Sequence, residues 1–152
     1  MGKKSEIETA SSDVVSARER IKSIDQLAAV ARAAREEGKT IVLAHGVFDL
    51  VHMGHTRHIE VAKKLGDILI VTVTADEYVN KGPGRPVFPE LLRAEMLGAF
   101  ACVDWCGVNH APTAENILEE IKPDIYVKGG DYADAEEDVT GKIVAEQEIV
   151  ES

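Results

Sequence analysis

The chain has 152 residues and a formal net charge of −10. Its length suits one domain that is large enough to bury a hydrophobic core. Its 27 acidic side chains against 17 basic ones argue against a general nucleic-acid binder, which would show a basic face. No apolar run approaches the roughly eighteen residues of a membrane span, and the N-terminus lacks the apolar stretch of a signal peptide. We therefore expect a cytoplasmic protein with neither a nucleic-acid nor a membrane partner.

Residues 1–22 are polar and charged and predict a flexible N-terminal arm, which leaves residues 23–152 for the domain itself. The domain opens with an amphipathic helix that Ser23 or Asp25 caps and that Gly38 ends. The next run, "TIVLAHG", is apolar and β-branched and ends in glycine, which is typical of a buried parallel strand.

The rest of the chain repeats this alternation of helix and strand. Further strands are predicted at "DILIVTVTAD", "VDWCGV" and "DIYVKGG". Helices are predicted from Gly54 to Leu65 and at "PELLRAEMLGAFA", "TAENILEEI" and "TGKIVAEQEIV". Such alternation predicts a Rossmann-like three-layer αβα domain with a parallel sheet. In these sheets ligands bind beyond the carboxyl ends of the strands.

The stretch "HGVFDLVHMGH" lies where the first strand passes into a helix. A helix N-terminus that follows a strand presents backbone N–H groups and a positive dipole end, which together attract anions. Gly46 lets the backbone come close to a ligand, and Gly54 lets the chain turn into the helix. His52 and His55 flank Gly54, where imidazoles can donate hydrogen bonds to phosphate oxygens.

Two other interpretations of these histidines stay open. A zinc site from His52, His55 and His58 is conceivable, although the spacing is not that of the zincin helix. Alternatively, the histidines merely cap a helix at the surface. The dinucleotide and P-loop glycine patterns are both absent from the chain, which removes two common phosphate-binding loops.

The segment "GVFDLVHMGH", residues 46–55 and called the signature below, resembles the G-x-F-D-x-x-H-x-G-H signature of the cytidylyltransferase-like nucleotidyltransferases. The stretches "KLGDILIVTVTADEYVNKGPGRPVFP", "LRAEMLGAFACVDW" and "IKPDIYVKGGDY" resemble the heptose-1-phosphate adenylyltransferase domain of bacterial ADP-heptose synthesis. The resemblance covers about Ile24 to Tyr132. It implies the nucleotidyltransferase fold and the transfer of AMP from ATP to a sugar phosphate, with release of pyrophosphate.

The resemblance also implies roles for individual residues. His52 and His55 would stabilise the α-phosphate in the transition state. The positive charges expected to meet the triphosphate or the acceptor phosphate are those of Lys81, Arg85 and Arg93. The residues expected around the nucleotide are Gly46, Val47, Phe48, Asp49, Gly54, His55, Lys128, Gly129, Gly130 and Asp131.

Asp49 has a second interpretation, since its carboxylate can brace the loop by accepting backbone N–H bonds. We favour bracing over general base catalysis, because the attacking phosphate is already ionised. Mg²⁺ is expected with the ATP or CTP substrate, held mainly by phosphate oxygens and water, so no protein ligand to the metal is predicted.

The sequence departs from the family pattern at two places. His45 precedes the signature glycine, where relatives usually have Asn or a small residue. The family's last strand and Ser/Thr-rich helix start are expected to be missing after "EIVES". Two alternatives therefore stay open, namely a cytidylyltransferase acting on a polyol phosphate or phosphonate and a non-catalytic nucleotide-binding domain of a larger protein. By family analogy, the chain is expected to form a homodimer or to be fused to a sugar kinase.

Overall fold

The computed structural model of the chain describes residues 15–80 and 82–128. Four strands and four α-helices alternate over this part. The helices are α1 (Ile24–Glu36), α2 (Met53–Lys64), α3 (Glu90–Gly98) and α4 (Glu115–Ile121). The strands are β1 (Ile41–Gly46), β2 (Ile68–Thr74), β3 (Trp105–Asn109) and β4 (Ile125–Lys128). Two 3-10 turns, Arg18–Arg20 and Asp76–Tyr78, complete the elements of this part.

Several of the predictions concern residues outside the described part. They are the first 14 residues of the predicted arm, the helix at "TGKIVAEQEIV", and the site residues Lys81, Gly129, Gly130 and Asp131.

The sheet is fully parallel, with strand order β3-β2-β1-β4. The chain moves outward from β1 to β2 and β3, and then returns to place β4 on the other side of β1. The strand order thus reverses between β1 and β4, which is the switch point where ligands bind in such sheets. The predicted Rossmann-like parallel sheet is confirmed.

Each face of the sheet carries its own pair of helices. Val42 and Ala44 of β1 belong to the core shared with α2 and α3. Ile41 and Leu43, which alternate with them, belong to the core shared with α1 and α4. The predicted three layers are therefore present. In the part that the structure describes, no helix has the length and apolar character needed to cross a bilayer.

The start of α1 follows the sequence prediction. The Ser23 hydroxyl accepts a hydrogen bond from the backbone N–H of Gln26, and the Gln26 side chain accepts one from the Ser23 N–H. This reciprocal capping box satisfies two N–H groups that the helix leaves without partners. Of the two predicted caps, Ser23 is the one used.

The end of the predicted arm is hydrogen-bonded to the domain through Arg20 and Lys22. The Arg20 guanidinium donates to the carbonyls of Gly98, Phe100 and Val103 at 3.1, 3.3 and 2.9 Å. The backbone N–H of Lys22 also donates to the Cys106 carbonyl on β3. The polar composition of this segment hides these bonds, because their acceptors are main-chain carbonyls about eighty residues away.

We expect Arg20→Ala to lower the free energy of unfolding by about 1–2 kcal/mol, because three carbonyls lose a charged donor. Arg18→Ala is the matched control. Arg18 pairs with Glu95 at 2.7 Å, but its side chain is 82% exposed, so little stability is expected to depend on it. Urea unfolding of both variants makes the measurement, and equal stability of the two would contradict the anchoring role of Arg20.

Candidate functional site

The signature forms the connection between β1 and α2, and its backbone is strained at one residue. Phe48 has a positive φ of 51°, a conformation that residues other than glycine adopt rarely. Its side chain is buried, and its ring makes an edge contact with the His55 imidazole at a centroid distance of 5.7 Å. Strain of this kind tends to accumulate where a loop must hold a functional geometry.

His52 and His55 cap helix α2 through their own side chains. The His52 Nδ1 accepts a hydrogen bond from the Gly54 N–H, and the His55 Nδ1 accepts one from the His52 N–H, both at 3.2 Å. The two rings lie side by side, with centroids 4.2 Å apart. Two imidazoles thus form a capping box of the kind that Ser and Glu usually make.

These bonds determine which ring nitrogen carries the proton. A neutral imidazole has one N–H donor and one acceptor, and in both rings the acceptor is Nδ1. The proton therefore lies on Nε2 of His52 and of His55. Two Nε2–H donors next to a helix N-terminus make a site suited to an anion. The capping and the phosphate interpretations of these histidines are thus compatible.

Asp49 braces the loop, as predicted. Its carboxylate accepts hydrogen bonds from the N–H groups of Val87 and Phe88 at 2.8 and 3.1 Å, and from the Arg85 guanidinium at 2.9 Å. Burial raises the pKa of the Asp49 carboxyl, but the bonds from Val87, Phe88 and Arg85 outweigh this effect, so the pKa lies below its ordinary value. The carboxylate is therefore ionised and structural.

Arg85 pairs with Asp49, so part of its donor capacity holds the loop of residues 85–88 to the signature. Its side chain is 36% exposed, against 3% for Asp49. The predicted contact between Arg85 and a substrate phosphate stays a prediction.

Arg93 requires a correction, because its side chain is fully buried instead of lining the mouth. The guanidinium donates to the carbonyls of Phe88 and Val47, both at 2.9 Å, and to the Asp76 carboxylate at 2.7 Å. These three acceptors come from three separate segments of the chain. Arg93 is a positioning residue that joins these segments, and in this structure it is not placed to contact a phosphate.

A pocket of about 570 Å³ opens at the switch point, between the ends of β1 and β4 and the start of α4. Small-molecule sites commonly have such a volume and place. Gly46 and Val47 line it, so the signature loop forms part of its wall. Lys128 lines it, and three further lining residues, Thr74, Thr113 and Tyr126, were not predicted to belong to the site.

His45 lies in this pocket, and His58 is buried in the opposite core layer. The His45 Nδ1 is 2.8 Å from the Thr72 hydroxyl, and burial lowers the pKa of its imidazole to about 4. Burial also lowers the pKa of His58, against an opposing effect of the Lys128 backbone. Within residues 15–80 and 82–128, no group of three or more His, Cys, Asp or Glu side chains is arranged for a metal, so nothing there supports a zinc site.

Comparison with known proteins places this geometry in a family. Residues 43–152 match the cytidylyltransferase-like family, and this range includes the signature, α2 and the pocket. The chain belongs to the cytidylyltransferase-like family.

Relatives of this cytidylyltransferase-like chain share more than the signature. It is 40% identical over 129 residues to the bifunctional protein HldE of Geotalea uraniireducens, covering 84% of the chain and 26% of that protein. It is 46% identical over 114 residues to HldE of Streptomyces coelicolor, covering 74% and 25%. The chain thus spans about a quarter of the length of these relatives.

A solved structure shows the same fold. The lipopolysaccharide core biosynthesis protein of Thermoplasma volcanium superposes with a TM-score of 0.57 at 33% identity, covering 71% of this chain and 88% of that one.

We expect Arg93→Met to lower the free energy of unfolding of this cytidylyltransferase-like domain by about 3 kcal/mol. The substitution leaves the Val47 and Phe88 carbonyls without their donor and the Asp76 carboxylate without its partner. Arg57→Met on the exposed side of α2 is the matched control and should change stability little. Urea unfolding followed by circular dichroism measures both, and a stable Arg93→Met protein would refute the positioning role.

The lowered pKa of His45 predicts a pH dependence of stability. Between pH 6.5 and about 4 the unfolded chain binds a proton that the folded chain does not, so the free energy of unfolding falls as the pH falls. We expect the contribution of His45 to this fall to be at most about 3 kcal/mol. His45→Asn should reduce the fall between about pH 7 and about pH 4.5 in urea titrations. An equal fall of the free energy of unfolding in the wild type and in His45→Asn would contradict the lowered pKa of His45.

Proposed function

We propose that this chain is a nucleotidyltransferase that moves AMP from ATP to a sugar phosphate of the heptose-1-phosphate kind and releases pyrophosphate. The observation that carries the proposal is the paired capping of α2 by His52 and His55, which holds both imidazoles at the helix N-terminus through bonds to their Nδ1 atoms. The similar solved structure is named a lipopolysaccharide core biosynthesis protein, which supports a carbohydrate acceptor.

In the proposed reaction, an oxygen of the sugar phosphate attacks the α-phosphorus of ATP. The new P–O bond forms as the bond from the α-phosphorus to the β-phosphate oxygen breaks, and the electron pair leaves with pyrophosphate. The Nε2–H groups of His52 and His55 would donate to oxygens at the α-phosphate, where charge builds up. The protein contributes position and charge stabilisation, with no covalent step of its own.

The two substrates need two places on either side of the signature loop. The helix N-terminus with its imidazoles suits the triphosphate. The pocket lined by His45, Thr74 and Lys128 suits the acceptor, because among its described residues it offers hydroxyls, a neutral imidazole and the Lys128 ammonium, with the Glu115 carboxylate also in the lining. Gly46 and Val47 lie between the two places, since they line the pocket and lead into the signature.

The remaining residue roles belong to the same proposal. The backbone of Gly46, Val47 and Phe48 would contact the triphosphate, and Gly54 would admit it at the start of α2. Positive charge from Lys81 and Arg85 would meet the phosphates. Gly129, Gly130 and Asp131, which follow β4, would contact the nucleotide, and Lys128, at the end of β4, would lie where the nucleotide meets the acceptor pocket.

Mg²⁺ fits this site as a companion of the triphosphate. Asp49 and Asp76, the carboxylates beside the signature loop, are each already bonded to an arginine. These residues therefore suit an ion held mainly by phosphate oxygens and water. When bound, Mg²⁺ would neutralise part of the charge on the triphosphate. The sugar phosphate itself would come from a kinase that phosphorylates the free sugar.

The second candidate is a cytidylyltransferase acting on a polyol phosphate or phosphonate, which the family description favours. The third is a non-catalytic nucleotide-binding domain. A coupled assay of pyrophosphate release, run with each of the four ribonucleoside triphosphates and a panel of sugar and polyol phosphates, separates the three. ATP with a heptose 1-phosphate should give the highest kcat/KM. Preference for CTP would favour the second candidate, and nucleotide binding without turnover would favour the third.

We expect His52→Ala and His55→Ala each to lower kcat by roughly 10² or more, because each removes a donor to the transition state. His52→Asn is the matched variant, since Asn is a preferred helix cap and can replace the bond to the Gly54 N–H. It should keep the stability of the wild type and still lose activity. The measurement is pyrophosphate release under saturating substrates. Wild-type turnover in either alanine variant would remove these imidazoles from the mechanism.

A further inference from the structure

His45 occupies the position before the signature glycine, and the alternation of β1 determines where its side chain points. Ile41 and Leu43 face the core formed with α1 and α4. Side chains two positions apart on a strand share a face, so His45 continues this row at the carboxyl edge of the sheet. Beyond the edge of the core the row becomes the floor of the pocket, which His45 lines.

The neighbours of His45 in the sheet are polar. The strand register places it beside Thr72 of β2 and beside Lys128 of β4. Thr72 is fully buried, whereas Lys128 is exposed and lines the pocket. Thr72, His45 and Lys128 therefore form a polar row across β2, β1 and β4, next to the apolar row that contains Leu43.

The two nitrogens of the His45 ring have different surroundings. The Nδ1 is 2.8 Å from the hydroxyl of the buried Thr72, a short bond that fixes the ring. The Nε2 is 3.5 Å from the hydroxyl of Thr74, at the limit of hydrogen bonding, and Thr74 itself lines the pocket. The Nδ1 thus anchors the side chain, and the Nε2 is the nitrogen near Thr74, which lines the pocket.

The charge state limits what His45 can recognise. With a pKa lowered to about 4, the imidazole is neutral at physiological pH and brings no positive charge to a phosphate. It retains one donor and one acceptor, as a sugar hydroxyl does. Lys128 supplies the positive charge of the pocket instead.

We propose that His45 is a specificity-determining residue that recognises a hydroxyl group of the acceptor sugar through its Nε2, beside the hydroxyl of Thr74. The ligand class is a sugar phosphate whose hydroxyl pattern is matched at the pocket floor. This inference rests on the proposed transferase function.

Two substitutions separate the roles of the two nitrogens. The amide of His45→Asn lies near the position of Nδ1 and can keep the bond to Thr72, but it does not reach the pocket side. The amide of His45→Gln reaches about as far as Nε2. His110→Asn is the control, since its side chain is 64% exposed and is not part of the pocket lining.

The test measures pyrophosphate release with ATP and a set of sugar 1-phosphates, including a heptose 1-phosphate and hexose 1-phosphates that differ at a single hydroxyl. We expect His45→Asn to raise the KM for the preferred acceptor about tenfold and to reduce the preference over its epimers by a similar factor. His45→Gln should bring the KM for the acceptor and the preference over its epimers most of the way back to the wild-type values. The KM for ATP should change less than twofold in every variant.

Other outcomes overturn the inference. A raised KM for ATP with an unchanged acceptor ranking would assign His45 to the nucleotide. Equal KM values for the acceptor in the wild type and in His45→Asn would leave the imidazole with a structural role only.

Calorimetric binding of the same sugar phosphates without ATP keeps this inference distinct from the proposed function. If the wild type binds them and His45→Asn binds them about tenfold more weakly, yet no pyrophosphate is released, recognition of the sugar hydroxyl by His45 stands and the transferase proposal fails. If the wild type neither binds a sugar phosphate nor releases pyrophosphate, both fail.

Discussion

One buried guanidinium fixes the mouth of this site, because Arg93 bonds three separate segments of the chain. A charge in the interior is tolerated only where hydrogen bonds and a counter-ion replace water. Arg93 meets this condition with the carbonyls of Val47 and Phe88 and the carboxylate of Asp76. The position of the Val47 carbonyl sets the path of the signature loop, and both the imidazole pair and the pocket wall depend on that path.

This arrangement changes the source of positive potential at the site. Two arginines that the family resemblance assigned to phosphates are bonded to carboxylates, Arg85 to Asp49 and Arg93 to Asp76. In the described part of the chain, the groups that our proposal assigns to the anion are instead the helix N-terminus and the imidazoles of His52 and His55. These are fixed dipoles, which lose little energy to rearrangement when charge develops on a phosphate. A chain with a net charge of −10 can hold an anion in this way without a basic surface.

The sequence predicted the features that depend on local patterns. The parallel sheet follows from the alternation of strands and helices, the Ser23 cap from its place before the amphipathic helix, and the helix start at the signature from the glycine and histidines that follow the first strand. The buried place of Arg93 could not be predicted, because its acceptors come together only in the folded chain. Along α3, hydropathy would place Leu91 in the core and Arg93 at the surface, whereas Leu91 is 61% exposed and Arg93 is buried.

The tautomers at the signature bear on the chemistry that these histidines can perform. Because Nδ1 accepts a backbone N–H in both His52 and His55 and Nε2 carries the proton, neither neutral ring has a nitrogen left to remove a proton from a substrate. General base catalysis by this pair is therefore disfavoured. Attack by a phosphate oxygen, which is already ionised at neutral pH, requires no base. A site whose histidines are fixed as donors thus matches transfer to a phosphate better than transfer to an alcohol, whose proton would have to be removed.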